Sequence, residues 1–190
     1  PIAAHAAIVE HNIADEGRPV TARGSYIRGY VNRMLEDCGS EKRRALLVSG
    51  LLPETSPRVL AAMLGENVEW SREQLDNLPG VNIVYWDDEH GERWYRHHDL
   101  VREELARRAR DELGEERLRA CYRGGAVTLI DTHLFEAVRS ALRAHAWEIL
   151  SEVLLLDSYA IMTGPRSRLS PWLKDIPENV RERFPVLAAF

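Results

Sequence analysis

The sequence predicts a mainly α-helical fold with one β-hairpin. Apolar residues at helical spacing predict helices over residues 41–50, 56–64 and 71–78. Two short runs rich in β-branched and aromatic residues, 81–86 and 93–97, flank a polar, glycine-containing segment and have the composition of a hairpin. Three helices followed by a hairpin form the element order of a winged helix, in which the hairpin is the wing.

A further helix is expected immediately after the hairpin. Asp99 can cap its first turn, and Leu100, Val101, Leu105 and Ala109 form an apolar stripe at helical spacing. This helix leads out of the winged helix towards the C-terminal part of the chain.

Helices are also expected before the winged helix. Residues 2–14 carry apolar residues at helical spacing, and residues 20–25 are expected to form a linker. Ser25 can cap a helix that ends near Cys38, and Ser40 can cap the next one.

The C-terminal part is also predicted to be helical. Helices are expected over residues 115–122, 134–144 and 145–159, and a shorter one is expected to begin at 169–173. Gly124 and Gly125 are expected to end the first of them. Antiparallel helix pairs joined by short loops are typical of the start of a helical repeat.

The composition is that of an ordinary globular chain. Of its 190 residues, 45% are hydrophobic and 29% are charged, and the formal net charge is -5. This charge gives no general attraction to nucleic acid or to anionic membranes.

The sequence favours a cytoplasmic location, because its two cysteines lack metal-ligand spacing and no apolar run is long enough to span a membrane. Pro1 in place of an initial Met suggests either a segment of a longer protein or removal of that Met.

The charges of the predicted winged helix argue against direct DNA binding. Four acidic residues between 66 and 78, where a recognition helix would lie, stand against Arg72, and four more at the wing tip stand against Arg93. The basic cluster Lys42 to Arg44 is the natural place in the first half to look for a nucleic-acid contact, but a solvated helix face explains it better. Because phosphate contacts from Lys and Arg supply much of the affinity for DNA, both acidic surfaces would repel a duplex.

The sequence predicts neither a catalytic site nor a metal site. Its acidic pairs are adjacent residues on predicted exposed faces, and no GxSxG or GxxxxGK[ST] motif occurs, so the chain contains no P-loop. His97 and His98 are neighbours on a strand and should point to opposite sides. This arrangement argues against joint metal ligation with His90.

Several segments, taken in order, resemble one family. They are YIRGYVNRMLEDCGSEKRRALLVSGLLPETSPRVLAAML, then WYRHHDLVREEL at the end of the predicted wing, then FEAVRSALRAHAWEILSEVLL and LSPWLKDIPENVRERFPVL. Together they resemble the region that follows the nucleotide-binding module in LuxR-type STAND transcriptional regulators of the maltose-regulon-activator type. The resemblance implies three parts: the end of the nucleotide-binding module over 1–39, a winged-helix domain over 40–113, and a tetratricopeptide-like sensor region over 114–190.

The resemblance also implies a nucleotide contact at His98. Related nucleotide switches carry a His-Asp pair at the end of the winged helix, and His98-Asp99 resembles that pair. In those proteins the His contacts the β-phosphate of bound ADP and helps to hold the closed state. An imidazole donor near phosphate makes a charge-assisted hydrogen bond. From the residue types alone, a helix cap at Asp99 beside a partly buried histidine explains the same pair.

Two main functions follow from these observations. The resemblance implies a regulatory coupling segment that links the nucleotide state of a parent ATPase to effector sensing and transcription activation. The parent protein would bind ATP and ADP and would hydrolyse ATP, with no cofactor in this segment. Its partners would be the other domains of the parent and a small-molecule or protein effector, without membrane or direct DNA contact. The alternative is a stand-alone winged-helix DNA-binding transcription factor with a helical dimerisation region.

Overall fold

The computed structural model describes residues 20–87, 91–156, 173–174 and 176–188, with the side chains of 20–23 and 83 outside that description. The fold is mainly helical with one hairpin, as predicted. The helices are α1 (Val20–Glu36), α2 (Ser40–Ser49), α3 (Pro57–Leu64), α4 (Val68–Asn77), α5 (Asp99–Leu113), α6 (Glu115–Leu129), α7 (Leu134–Ala144), α8 (Trp147–Leu156), α9 (Glu178–Arg183) and α10 (Pro185–Ala188). The strands are β1 (Val81–Asp87) and β2 (Glu92–His97).

The described residues form two compact units. The first contains residues 20–57 and 71–112, and the second contains residues 58–70 and 113–188 where these are described. The predicted winged-helix segment contributes to both units, because most of α3 belongs to the second. The predicted domain boundaries, after residues 39 and 113, remain a prediction.

The core of the first unit is built from apolar residues of three helices. They recur at helical spacing in α1 and α5, whereas consecutive residues of α2 are buried. The buried residues are Ile27, Val31, Met34 and Leu35 in α1, Ala45, Leu46, Leu47 and Val48 in α2, and Val101, Leu105 and Ala109 in α5.

A glycine at the end of α2 allows α5 to pass very close. A Cβ added at Gly50 would lie only 2.5 Å from the Cβ of Leu105. Leu105 is fully buried, so little space exists into which it could move. A residue without a side chain is therefore required at this crossing.

The sheet has a third strand that the sequence did not reveal. β1 and β2 pair in an antiparallel hairpin with a register shift between Ile83 and Tyr85. On the other edge of β2, Thr55 forms an antiparallel bridge to Tyr95. The Thr55 N–H donates to the Tyr95 carbonyl at 2.9 Å, and the Tyr95 N–H donates back at 2.8 Å. β2 is therefore the central strand of a small three-stranded sheet.

The prediction that Gly124 and Gly125 end a helix is wrong. The helix α6 continues through both glycines to Leu129. A Cβ added at Gly124 would lie 2.2 Å from the carbonyl oxygen of Ala62, within the second unit. Gly124 thus serves close helix packing, because the helix backbone lies where a side chain would otherwise be.

The second unit continues with packed helices joined by short connections. α7 follows α6 after residues 130–133 and packs against it, and α8 follows α7 after two residues and packs against α7. α7 spans the residues predicted for it. The apolar core of this region contains Ala126, Val138, Ala141, Ala146, Ile149, Leu150, Val153, Leu154, Leu173, Ile176 and Leu187.

Two predicted boundaries differ from the observed ones. The expected linker over 20–25 is helical, since α1 begins at Val20 and its backbone continues through Gly24. α8 begins at Trp147 rather than at His145, because His145 adopts a left-handed conformation with φ 52° and ends α7. The predicted helix over 2–14, residues 157–159 of the predicted third helix and most of 169–173 lie outside the described residues.

The close contact at Gly124 predicts a clear effect of one added methyl group. We expect Gly124→Ala to lower the free energy of unfolding by about 1–3 kcal/mol, because the backbone around Ala62 must move. Urea denaturation followed by circular dichroism measures this change.

Gly29→Ala is the matched control, since a Cβ at Gly29 in α1 meets nothing within 4 Å. We expect this control to be neutral or to stabilise by up to about 1 kcal/mol. Equal effects of the two substitutions would contradict the packing role of Gly124.

Candidate functional site at the β2–α5 junction

The candidate site lies where the wing ends and the exit helix begins. β2 ends at His97 and α5 begins at Asp99, so His98 is the single residue between them. His97 is 2% exposed, whereas His98 is exposed. The alternation along the strand therefore places neighbouring imidazoles in opposite environments, one in the core and one at the surface.

The His97 imidazole is held by polar groups from two other places in the first unit. Its Nε2 lies 2.8 Å from Ser49 Oγ at the end of α2, and its Nδ1 lies 3.3 Å from the carbonyl oxygen of Gly80 before β1. The Ser49 hydroxyl also lies 2.9 Å from the Leu46 carbonyl. Both ring nitrogens are used when the proton is assigned to Nδ1, which donates to the Gly80 carbonyl, while Nε2 accepts from the Ser49 hydroxyl.

Burial keeps the His97 ring neutral. Loss of solvent lowers the pKa of His97 from 6.5 to about 4, with a smaller lowering from Arg102, while the hydrogen bond to Gly80 raises it. At neutral pH the ring is therefore uncharged and acts as a structural hydrogen-bonding group.

His98 has an accessible side chain on a fixed backbone. Its carbonyl oxygen accepts the Arg102 N–H at 2.9 Å, which is the hydrogen bond that starts α5. Asp99 is the first residue of the helix, where a negative charge interacts favourably with the helix dipole. The partly buried histidine that the residue types predicted at position 98 is therefore not observed, because His98 presents its imidazole to solvent and the buried histidine is His97.

Two guanidinium groups and one carboxylate lie at the start of α5, next to His98 in the chain. Asp99 Oδ2 lies 3.8 Å from an Arg96 guanidinium nitrogen, and Asp99 Oδ1 lies 3.9 Å from Arg102 Nε, so both ion pairs are long. These two guanidinium groups, the His98 imidazole and the N-terminus of a 15-residue helix are all groups that interact favourably with phosphate oxygens.

The surface of α4 is acidic, as the sequence predicts. Glu69, Glu73 and Asp76 are exposed there, with Arg72 as the basic residue between them. The Asp76 carboxylate accepts a hydrogen bond from the Tyr95 hydroxyl at 2.6 Å, which fixes part of this acidic face to β2. Residues 88–90 at the predicted wing tip lie outside the description.

The basic cluster over 42–44 is not simply a solvated face. Two guanidinium nitrogens of Arg43 donate to the Glu112 carboxylate at 2.8–3.2 Å, and its Nη1 donates to the Leu35 carbonyl at 3.1 Å. Arg43 therefore links α2 to both α1 and α5 within the first unit. No local sequence pattern indicates this role, because Glu112 lies 69 residues away along the chain.

The described residues contain neither a candidate metal centre nor a membrane-spanning helix. Within 20–87, 91–156, 173–174 and 176–188, no group of three or more His, Cys, Asp or Glu side chains could hold a metal ion. None of the helices in this described part is long and apolar enough to cross a membrane.

Comparison with known families decides the type of the central domain. Residues 31–117 match the family model of the MalT winged helix domain. This match begins within α1, ends in the first turn of α6 and includes the whole β2–α5 junction. It supports a regulator of the MalT/STAND type. No curated protein sequence matches the chain.

His98 is apparent as a candidate from the sequence, but the residues that hold the neighbouring His97 are not. Ser49 and Gly80 are 48 and 17 residues away from His97, so neither is visible as a local motif. A usable signal exists for His97 itself, because it lies two residues after the buried Tyr95 and therefore on the same face of β2.

The buried imidazole predicts a pH-dependent stability. Above about pH 6.5 His97 is neutral in both the folded and the unfolded state. As the pH falls from 6.5 towards 4, the unfolded state binds a proton that the folded state does not, so stability is lost. We expect this group to remove about 2 kcal/mol between neutral pH and about pH 5.

Urea denaturation of the wild type and of His97→Gln across this pH range measures the contribution. Because Gln does not titrate, the difference in unfolding free energy between the two proteins should shrink as the pH falls. A difference that stays constant from neutral pH to about pH 5 would show that His97 is not held neutral in the fold.

Proposed function

We propose that this chain is the coupling segment of a LuxR-type STAND transcriptional regulator. It would link the nucleotide state of an ATPase module in the parent protein to effector sensing and transcription activation. The observation that carries this proposal is the match of residues 31–117 to the MalT winged helix domain. ATP and ADP would be bound by the parent's nucleotide-binding module, and the protein would work in the cytoplasm.

In this proposal the winged helix contacts other domains of the regulator rather than DNA. The acidic face of α4 supports it, because Glu69, Glu73 and Asp76 would approach phosphates at the place where a DNA-reading helix needs basic residues. The formal net charge of -5 gives no compensating long-range attraction.

The helices after the winged helix would begin the sensor. α6, α7 and α8 pack in sequence with short connections, which supports antiparallel pairs of the tetratricopeptide-like kind. An effector, either a small molecule or a protein, would bind this sensor in the parent protein.

His98 would report which nucleotide is bound. Its exposed imidazole, beside Arg96 and Arg102, would donate a hydrogen bond to the β-phosphate of ADP and so hold the winged helix against the nucleotide-binding module. Exchange of ADP for ATP would weaken this contact. The winged helix could then rotate away from the nucleotide-binding module.

Removal of the imidazole tests this role in the full-length regulator. We expect His98→Ala to speed ADP release about 10-fold or more and to raise activity without effector, because one charge-assisted hydrogen bond is lost. Release of a fluorescent ADP analogue measures the rate.

Glu103→Ala, an exposed substitution on the next turn of α5, is the control and should leave ADP release unchanged. If His98→Ala also leaves both release and activation unchanged, the nucleotide link is wrong and a protein-interaction scaffold becomes the better explanation.

Titration of this chain against random duplex DNA at low salt tests the alternative function. We expect no binding at micromolar concentration. Micromolar affinity that falls steeply with added salt would instead support the stand-alone winged-helix DNA-binding protein and contradict the coupling role.

A further inference from the structure

The buried His97 joins three separate parts of the first unit beside His98. Its ring contacts Ser49 at the end of α2 and Gly80 in the turn before β1, while its backbone ends β2. These contacts are directional, since the Nε2 to Ser49 Oγ distance is 2.8 Å and the ring is 2% exposed. The end of β2 is therefore fixed in position by more than apolar packing.

His98 lies between two fixed points of the backbone. The preceding residue, His97, is held through its ring, and the His98 carbonyl is held by the Arg102 N–H in the first turn of α5. Neighbouring Cα atoms are only about 3.8 Å apart. A shift of the His97 backbone must therefore displace the His98 imidazole by a similar distance, which is enough to break a hydrogen bond to phosphate.

We propose that His97 is a positioning residue, which through Ser49 and Gly80 fixes the backbone from which His98 presents its imidazole to the nucleotide phosphate. This inference rests on the proposed function, because it deepens the role given there to His98.

An apolar residue at position 97 would fill the same space but would not hold the end of β2 in one orientation. Burying an imidazole has a desolvation cost that a leucine does not have, and the hydrogen bonds to Ser49 and Gly80 offset it. A buried polar group that is satisfied in one geometry specifies that geometry more sharply than apolar packing does. The positioning role therefore depends on the ring nitrogens and not on the bulk of the side chain.

A double-mutant cycle in the full-length regulator tests the role. We expect His97→Leu, which keeps the bulk and removes the ring nitrogens, to speed ADP release by about as much as His98→Ala. In the His98→Ala background, His97→Leu should have no further effect, because there is no imidazole left to position. His97→Gln, whose amide can still reach Ser49, should restore slow release.

Val31→Ala controls for general loss of stability, since Val31 is fully buried in the same unit and outside this hydrogen-bond set. The positioning role is overturned if His97→Leu leaves ADP release unchanged while His98→Ala speeds it. It is also overturned if the two effects add in full, or if Val31→Ala speeds release equally.

Amide hydrogen exchange in this chain tests the positioning separately from any nucleotide. We expect His97→Leu to speed exchange of the Arg102 amide at least about 10-fold relative to amides in the middle of α5, with no such change in Val31→Ala. If His98→Ala has no effect on ADP release but this exchange result holds, the proposed function fails while the structural anchor stands. If the Arg102 amide is unaffected, His97 does not position this junction.

Discussion

The central constraint in the first unit is the burial of β2. Consecutive residues of this strand, Trp94 and Tyr95, are both buried, so both faces of the strand are covered. The Tyr95 backbone pairs with Thr55 on one edge, and β1 pairs on the other. Burial and the neighbouring Asp76 raise the pKa of Tyr95 to about 12, so its hydroxyl stays protonated and donates to that carboxylate. β2 therefore contacts α2, α4 and β1 and leads directly into α5, so its position determines how these elements are arranged.

The proposed function depends on what β2 presents at its end. The last residue of β2 turns inward to Ser49 and Gly80, so the next residue must face solvent before α5 begins. The resulting surface carries an imidazole and two guanidinium groups beside a helix N-terminus, while the face of α4 is acidic. In the proposed role, the surface at His98 would contact a phosphate held by another domain, and the acidic face of α4 would disfavour the backbone of a duplex.

The sequence predicted the elements well because their signals are local. Periodicity identified α3, the hairpin, α5 and α7, and alternation separated His97 from His98.

The predictions that failed share a physical cause, which is that long-range contacts leave no local pattern in the sequence. Gly124 and Gly125 form a pair that is typical of a helix end. In the structure the helix continues, and Gly124 is needed because the Ala62 backbone approaches it closely. Thr55 pairs with Tyr95, 40 residues further along the chain. The paired segment at Thr55 is too short to show an alternation of apolar and polar residues. In the candidate site, His98 could be predicted from the sequence, whereas the contacts of the buried His97 with Ser49 and Gly80 could not.

The account depends on the β2–α5 junction sensing the bound nucleotide. Hydrogen exchange of the full-length regulator, compared between the ADP-bound state and a state with a non-hydrolysable ATP analogue, measures this most directly. Slow exchange at residues 98–102 with ADP and clearly faster exchange with the ATP analogue is the result expected for a coupling segment. Identical exchange of these amides in the two states, with nucleotide bound in both, would contradict it.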